Sequence, residues 1–512
     1  MQRTAQGPNN SRVATSTVVS DLEAPGAAVA PRHGFAATAF LGAGGSALLA
    51  LASDLPASPF GPRAGGVWPF AASGVARSWE GPSVPAWAAP ANSGPGVPTG
   101  HLLVLAAALL GLGLLGVAWL RLWRAVRADE NVGLRDVWWV CAAWTAPLLF
   151  AVPFASQDVW VYVAQGKVVA SGMSAATPLH TLGPSAWVSA VDPKYLKGGS
   201  IYGPGANDLS ALFARVSGGH PWIAVEGWRL AVIASMVLCG WGVARIAAAR
   251  GANPVEAVVA GVANPAVLIA FVAGAHNDAL MIGLVVAGVA LAVTGRRWWG
   301  LAVLALAVTV KAPAALAVLA VAWWCWKGSW YRRALAVAAG MGATLVALSV
   351  TGLFSGGGFS WLKSASVGTV ASAFSLARFA GTTATGPVNL VQTLGILVAV
   401  ALVLAVPRGR SWIGALAIGF GVMAVCSANP QPWYLLWAVP LVACTFTDGG
   451  VQRVALVVLC AMAAWSVLPL GPLAWFGGMI ALAVIGFLWV RSWPANDASA
   501  AARRPAVVGD AF

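Results

Sequence analysis

Charge is what this 512-residue chain has least of: charged residues make up 9% of it, with 16 Asp and Glu against 30 Lys and Arg. So few charges cannot clothe a water-facing surface over most of the chain. The remaining acids are also too scattered for a proton relay across a membrane. Cysteine is scarce too. The six residues (Cys141, Cys239, Cys325, Cys426, Cys444, Cys460) all sit in apolar runs with no CxxC pair. They read as small core residues, which leaves no disulfide framework and no metal site. The apolar runs are continuous and do not alternate with polar residues, which excludes a β-barrel. No P-loop, GxGxxG, HExxH or GxSxG stands in a plausible context, so no cofactor is expected. The formal charge of +14 does not imply a nucleic-acid partner, because no basic-aromatic motif accompanies it. No short-period repeat occurs.

Apolar residues are abundant instead. Hydrophobic residues make up 59% of the chain, 27 Trp are present, and runs of about 20 apolar residues recur. The fold class is therefore an all-α polytopic membrane protein. Residues 1–34 lack an apolar run and are expected to form a disordered cytoplasmic tail. The first apolar segment starts only at Phe35, so no cleaved signal peptide is expected. Residues 35–137 hold two segments, 35–52 and 102–120, around an external loop rich in Pro, Gly and Trp. Arg121, Arg124, Arg127 and Arg135 form the strongest basic cluster and are placed in the cytoplasm.

From there the spans alternate. Segments 138–155, 221–244, 255–274, 279–294, 334–354, 387–406, 412–428, 433–446, 454–468 and 473–490 are joined by loops. The basic clusters Arg245/Arg250, Arg296/Arg297, Arg408/Arg410 and Arg491 fall inside. Twenty of the 30 Lys and Arg then lie on the inner side and ten outside. The stretch 298–326 has basic residues at both ends, so one crossing would put a cluster on the wrong side. Two full crossings need about 40 residues. A pair of short helices meeting at Lys311-Ala312-Pro313 satisfies both limits, because Pro starts a helix well and continues one badly. Lys311 then lies below the outer membrane surface, tolerable only beside a wet cavity or an anion. The total is about 14 transmembrane segments, including this short broken pair, with an external loop over 155–221 and a cytoplasmic tail over 492–512.

Four outer-side features converge on this map: Asp158 with Trp160 and Tyr162; Asp192-Pro193-Lys194 with Tyr202-Gly203-Pro204-Gly205; His276-Asn277-Asp278 with Lys311; and Arg378 with Asn429-Pro430-Gln431-Pro432-Trp433-Tyr434. Residues 159–169 are expected as a helix lying in the membrane interface, with Gln165 and Lys167 facing water. Each feature also has a plainer reading. Asp158 and Asp278 suit helix caps. Tyr202-Gly203-Pro204-Gly205 suits a turn. Trp433-Tyr434 suits an aromatic belt, and Arg378 an interfacial anchor. Lys311 has no such ordinary account, since a snorkelling Lys does not sit beside a mid-membrane helix break.

Together the set suits a lipid-linked sugar donor. A polyprenyl phosphate enters sideways from the bilayer and needs a cation at headgroup depth: Lys311, helped by Arg378 or His276. A hydroxyl acceptor needs a general base, Asp158. Aromatic faces, amides and carboxylates hold sugars: Trp160, Tyr162, Tyr202, Asn277, Asp278, Gln431, Trp433 and Tyr434. One base with direct displacement inverts the anomeric centre, and phosphate leaves well enough to need no metal. Lys311→Met is then expected to weaken donor use far more than folding.

At these residues the sequence resembles the GT-C superfamily of membrane glycosyltransferases, whose catalytic Asp lies in an early external loop. More narrowly it is similar to the polyprenol-phosphomannose-dependent alpha-1,6-mannosyltransferases of the actinobacterial cell envelope, the MptA/MptB type. The similarity runs through Ser156-Gln157-Asp158-Val159-Trp160-Val161-Tyr162, Asp192-Pro193, Tyr202-Gly203-Pro204, Ala273-Gly274-Ala275-His276-Asn277-Asp278, Lys311-Ala312-Pro313 and Asn429-Pro430-Gln431-Pro432-Trp433-Tyr434. It covers most of 138–490. The resemblance implies a GT-C-like core over 138–491 and a polyprenyl-phospho-mannose donor. It also implies alpha-linked mannose in a glycolipid (lipomannan-type) acceptor, an outward-facing site in the plasma membrane, and the base role for Asp158. One departure is that Gly205-Ala206-Asn207 stands where a bulkier residue and a His are expected, which leaves acceptor identity open. The competing class is a secondary transporter or lipid flippase, which also uses broken helices and buried charges.

Overall fold

The computed structural model describes residues 33–54, 99–128, 132–154, 156–361, 385–407 and 411–445. Among them every regular element is helical. Four helices are long and apolar enough to cross a membrane: α1 (His33–Asp54), α2 (Thr99–Ala128), α6 (Pro221–Ala249) and α12 (Trp330–Ser355). Between α2 and α6 lie α3 (Leu134–Thr145), α4 (Asp158–Ala170) and α5 (Pro204–Val216). After α6 come α7 (Pro254–Gly261) and α8 (Pro265–Ala273), a pair bent by 44°. Shorter apolar helices follow: α9 (Asp278–Val293), α10 (Arg297–Val310) and α11 (Ala315–Trp324). Beyond α12 stand α13 (Thr385–Leu404), α14 (Trp412–Val425), a 3-10 turn at Pro432–Trp437, and α15 (Val439–Ala443).

This corrects the expected regularity of the spans in three places. The run 138–155 is not one continuous helix: α3 gives way to a 3-10 turn at Ala146–Leu149. Pro147 cannot donate the helical hydrogen bond, and its ring crowds the preceding turn. The run 255–274 breaks where Asn264 takes the Val267 N–H on its side-chain oxygen and donates its amide to the Ala260 carbonyl. α8 then continues through a π-helical stretch, Leu268–Ala273. The run 433–446 is likewise split between the 3-10 turn and α15. The expected break at Lys311 is present, with Lys311 extended between α10 and a 3-10 turn at Ala312–Ala314. The expected segments 454–468 and 473–490, and Arg378, lie outside the described residues.

The core is built by close helix approach. A Cβ added to Gly288 of α9 would come 2.9 Å from the Gly300 carbonyl of α10, and one on Gly300 would come 2.6 Å from the Gly288 carbonyl. Small residues let apolar helices touch along their backbones where lipid offers no hydrophobic drive for association. The outer faces stay apolar: Phe40, Leu103, Leu335, Val346 and Leu353 are all widely exposed, as lipid-facing positions require. The two N-terminal helices belong to the same body. Trp119 donates to the Val259 carbonyl, Trp144 donates to the Thr38 carbonyl, and the Asp54 carboxylate accepts the Val152 N–H at 2.7 Å.

Candidate active site

The helix that begins at Asp158 does not lie on a surface. Nearly all of α4 is buried, Gln165 included, and Lys167 is half-buried over the Trp187 ring. α5 packs closely beside α4: a Cβ on Gly166 would come 2.3 Å from the Ser210 carbonyl, so the two helices meet backbone to backbone next to Gln165. The expected water-facing role of Gln165 is therefore wrong. Asp158 occupies the first turn of α4 but does not cap it. The hydroxyl of Ser156 accepts the Asp158 N–H, which leaves the half-buried carboxylate without a hydrogen bond or ion pair among the described residues. Trp160, two residues on, is buried.

The Asp158 charge reaches Tyr162, Tyr202, His276 and Tyr434. Burial, together with that carboxylate, also holds the phenol of loop residue Tyr195 above its ordinary range. Tyr162 packs edge-on against Tyr202, ring centres 4.6 Å apart, and tilts against Trp228 at 5.4 Å.

Opposite stands a buried ion pair that the sequence did not reveal. Lys311 Nζ donates to both carboxylate oxygens of Asp278 at 2.8 Å. Trp437 Nε1 donates to Asp278 Oδ1 at 2.7 Å. The Lys311 ammonium lies 4.7 Å over the Tyr434 ring and 5.7 Å from Trp437, and those two rings stack at 4.5 Å. Asp278 begins α9, as the capping reading has it, but its carboxylate is turned to Lys311 and Trp437 and caps nothing. The anion that Lys311 required is thus supplied by the chain itself. An ammonium has three donors, so one remains for another acceptor.

Between the two carboxylates lies the turn 274–277. Ala275 is a buried non-glycine residue with φ 50°, a left-handed conformation that costs energy and clusters at functional sites. His276 packs against Trp433 at 4.1 Å, and its Nδ1 bonds the Ala270 carbonyl. A carbonyl only accepts, so Nδ1 carries a proton. His276 Nε2, both side-chain polar atoms of Asn277, and Trp433 Nε1 are buried with no hydrogen-bond partner among the described residues. Buried polar atoms without partners are uncommon and costly, and here they lie side by side. Gln431 donates its amide to Asn429.

The loop before α5 completes the arrangement. Gly203 donates its N–H to the Val310 carbonyl, and a Cβ there would fall 2.1 Å from the Thr309 carbonyl. Tyr202-Gly203-Pro204 is therefore both a helix start, with Pro204 in the first turn, and a strap over the residues before Lys311. Asn207, the departure from the expected His, is buried; it accepts from Ser200 and donates to the Tyr202 carbonyl. Asp192 caps the short turn of Pro193–Tyr195 and pairs with Lys194, a structural role. Two further residues were not singled out in the sequence. Trp437 carried no signal. Arg229 had one, a charge inside an apolar span.

The fold and site define an all-helical membrane protein whose broken helices bring an ion pair, a second carboxylate and a set of aromatic rings into one polar cluster. The family profile that matches it, over residues 65–327, is described as alpha-(1->6)-mannopyranosyltransferase, N-terminal domain, and the chain belongs to this MptA/B family. The matched region contains Asp158, Tyr202, His276, Asp278 and Lys311. The chain is similar to alpha-(1->6)-mannopyranosyltransferase A of Mycobacterium tuberculosis (34% identity over 227 residues, 44% of each chain). It is also similar to alpha-(1->6)-mannopyranosyltransferase A of Corynebacterium glutamicum (31% over 233 residues, 44% of this chain and 48% of the other). A further alpha-(1->6)-mannopyranosyltransferase of M. tuberculosis aligns at 27% identity over 430 residues, 68% of this chain and 71% of the other. The first two alignments span about half the length of those relatives. No solved structure matches.

Proposed function

We propose that this chain is an inverting membrane glycosyltransferase. It moves mannose from polyprenyl-phospho-mannose to the alpha-1,6-mannan chain of a lipoglycan precursor, on the external face of the plasma membrane. The relatives' names support mannosyl transfer. The observation that carries the mechanism is the unengaged Asp158 carboxylate, whose field reaches the same His276 and Tyr434 that neighbour the Asp278–Lys311 pair.

Asp158 takes the proton of an acceptor hydroxyl as that oxygen attacks the anomeric carbon. The bond from that carbon to the phosphate oxygen breaks, and polyprenyl phosphate departs with the electron pair. The remaining N–H of Lys311 donates to the phosphate, helped by Arg378. His276, buried with its proton on Nδ1, presents a bare Nε2 that accepts a hydrogen bond and does not donate one to the phosphate. Of the aromatic residues, Tyr434 is half-buried and can meet a sugar, whereas Trp160, Tyr162, Tyr202 and Trp433 are buried and line the site from behind or reach a sugar only when it opens. Asn277 and Gln431 offer amides, and Asp278 fixes Lys311 in place.

One feature favours the transporter or flippase reading, the 44° break between α7 and α8, since transporters bind substrate at broken helices. Proteoliposomes given radiolabelled polyprenyl-phospho-mannose and a mannolipid acceptor separate the two. Label in a new, alpha-mannosidase-sensitive glycolipid, lost in Asp158→Asn, supports the transferase. Label that crosses the bilayer without a new glycosidic bond rejects it.

A further inference from the structure

Arg229 lies two turns into the membrane helix α6 and is completely buried. Five hydrogen bonds among the described residues engage every N–H donor of the guanidinium. Nε donates to the Val272 carbonyl at 3.3 Å, and Nη2 to the carbonyls of Ala151 (2.8 Å) and Ala273 (3.2 Å). Nη1 donates to the Leu149 carbonyl at 3.2 Å and to the Glu226 carboxylate. The Asp54 charge also acts on it.

The four carbonyls come from two chain segments. Leu149 ends the 3-10 turn and Ala151 lies two residues after it, on the way to Asp158; Val272 and Ala273 end the π-helical stretch that precedes His276 and Asp278. The Leu149, Ala151 and Ala273 carbonyls accept no backbone N–H among the described residues, while that of Val272 also accepts the Ala275 N–H; away from water such groups must be satisfied. Asp54 holds the same first segment from its other side, through the Val152 N–H.

We infer that Arg229 is a positioning residue: one guanidinium ties the segment leading to Asp158 to the segment leading to His276 and Asp278, and so sets the spacing of the two halves of the site. This rests on the transferase reading. Lysine cannot replace it, because an ammonium keeps the charge but has three donors and no planar fork.

The test compares wild type, Arg229→Lys and Asp54→Leu in proteoliposomes. It uses mannosyl transfer with kcat and donor KM resolved, and amide hydrogen exchange read by mass spectrometry. In Arg229→Lys, kcat falls about a hundredfold with donor KM nearly unchanged, the signature of a misplaced reacting group. Amides in 149–158 and 268–278 exchange faster, while those in 297–310 do not. Asp54→Leu, the variant to rely on should Arg229→Lys not fold, loosens 149–158 alone and lowers kcat less. The inference is overturned if either variant has wild-type kcat per folded molecule, or if exchange rises uniformly. If the wild type transfers no mannose, the transferase reading fails, and the exchange pattern alone then decides whether Arg229 ties the two segments.

Discussion

Replacing Lys311 by Met removes the cation from a carboxylate that is entirely buried. At 2.8 Å, and with an effective dielectric of about 20, the attraction between the two charges is about 6 kcal/mol before desolvation is counted. Desolvation consumes most of that, so the pair itself adds little to stability. Breaking it is different, because the abandoned charge stays buried, and such losses run to about 3–5 kcal/mol. Lys311→Met is therefore expected to be strongly destabilising, which corrects the sequence-based expectation that it would spare the fold. Asp278→Asn costs less, since the Lys311 side chain keeps 15% exposure and can shed its charge toward water. The double variant Asp278→Asn/Lys311→Met recovers about 2–3 kcal/mol relative to the sum of the singles. Unfolding of the four proteins by SDS titration in bicelles, followed by Trp fluorescence, measures these differences. Additive singles, or a Lys311→Met protein as stable as wild type, would refute the reasoning.

Other perturbations test neighbouring contacts. Burial pushes the Asp208 carboxyl up to about 7, with Arg215 opposing. The folded state then binds that proton more tightly than the unfolded state, so stability is lost as pH climbs from the ordinary carboxylate value through about 7. Asp208→Asn should raise the unfolding temperature near pH 8 and leave it unchanged near pH 4; an equal effect at both would exclude this cause. Gly203→Ala sets a methyl against the Thr309 carbonyl, and Gly205→Ala sets one 2.3 Å from the Thr309 hydroxyl. The first should cost about 1–3 kcal/mol. Thr309→Ala should rescue Gly205→Ala but not Gly203→Ala, since only the side-chain clash is removed; equal rescue of both would show that the strap does not sit on the backbone.

The residues themselves show what a sequence could and could not reveal. The break at Lys311 was legible because basic clusters on both sides left no other way to thread a short apolar stretch. Asp278 at the start of a helix was legible from the turn before it. Their union was not, because partners 33 residues apart meet only after α9 and α10 pack, and Trp437 arrives from still farther along the chain. Gln165 was misjudged for the same reason: amphipathic spacing suggested an interfacial helix, whereas the folded chain buries Gln165 along with nearly all of α4. The interruptions at Pro147 and Asn264 were written in residue types that disfavour a continued helix, yet run length outweighed them. Arg229 was overlooked although charges inside an apolar span, here Arg229 with Glu226, are themselves a signal.

The most direct test concerns Asp158 and nothing else. With purified protein in proteoliposomes, mannosyl transfer from polyprenyl-phospho-mannose is followed for wild type and Asp158→Asn, a change that keeps the side chain's shape and removes its basicity. Loss of about 10²–10⁴-fold in kcat, with donor KM and unfolding temperature unchanged, is the predicted result. Transfer at the wild-type rate would contradict the account.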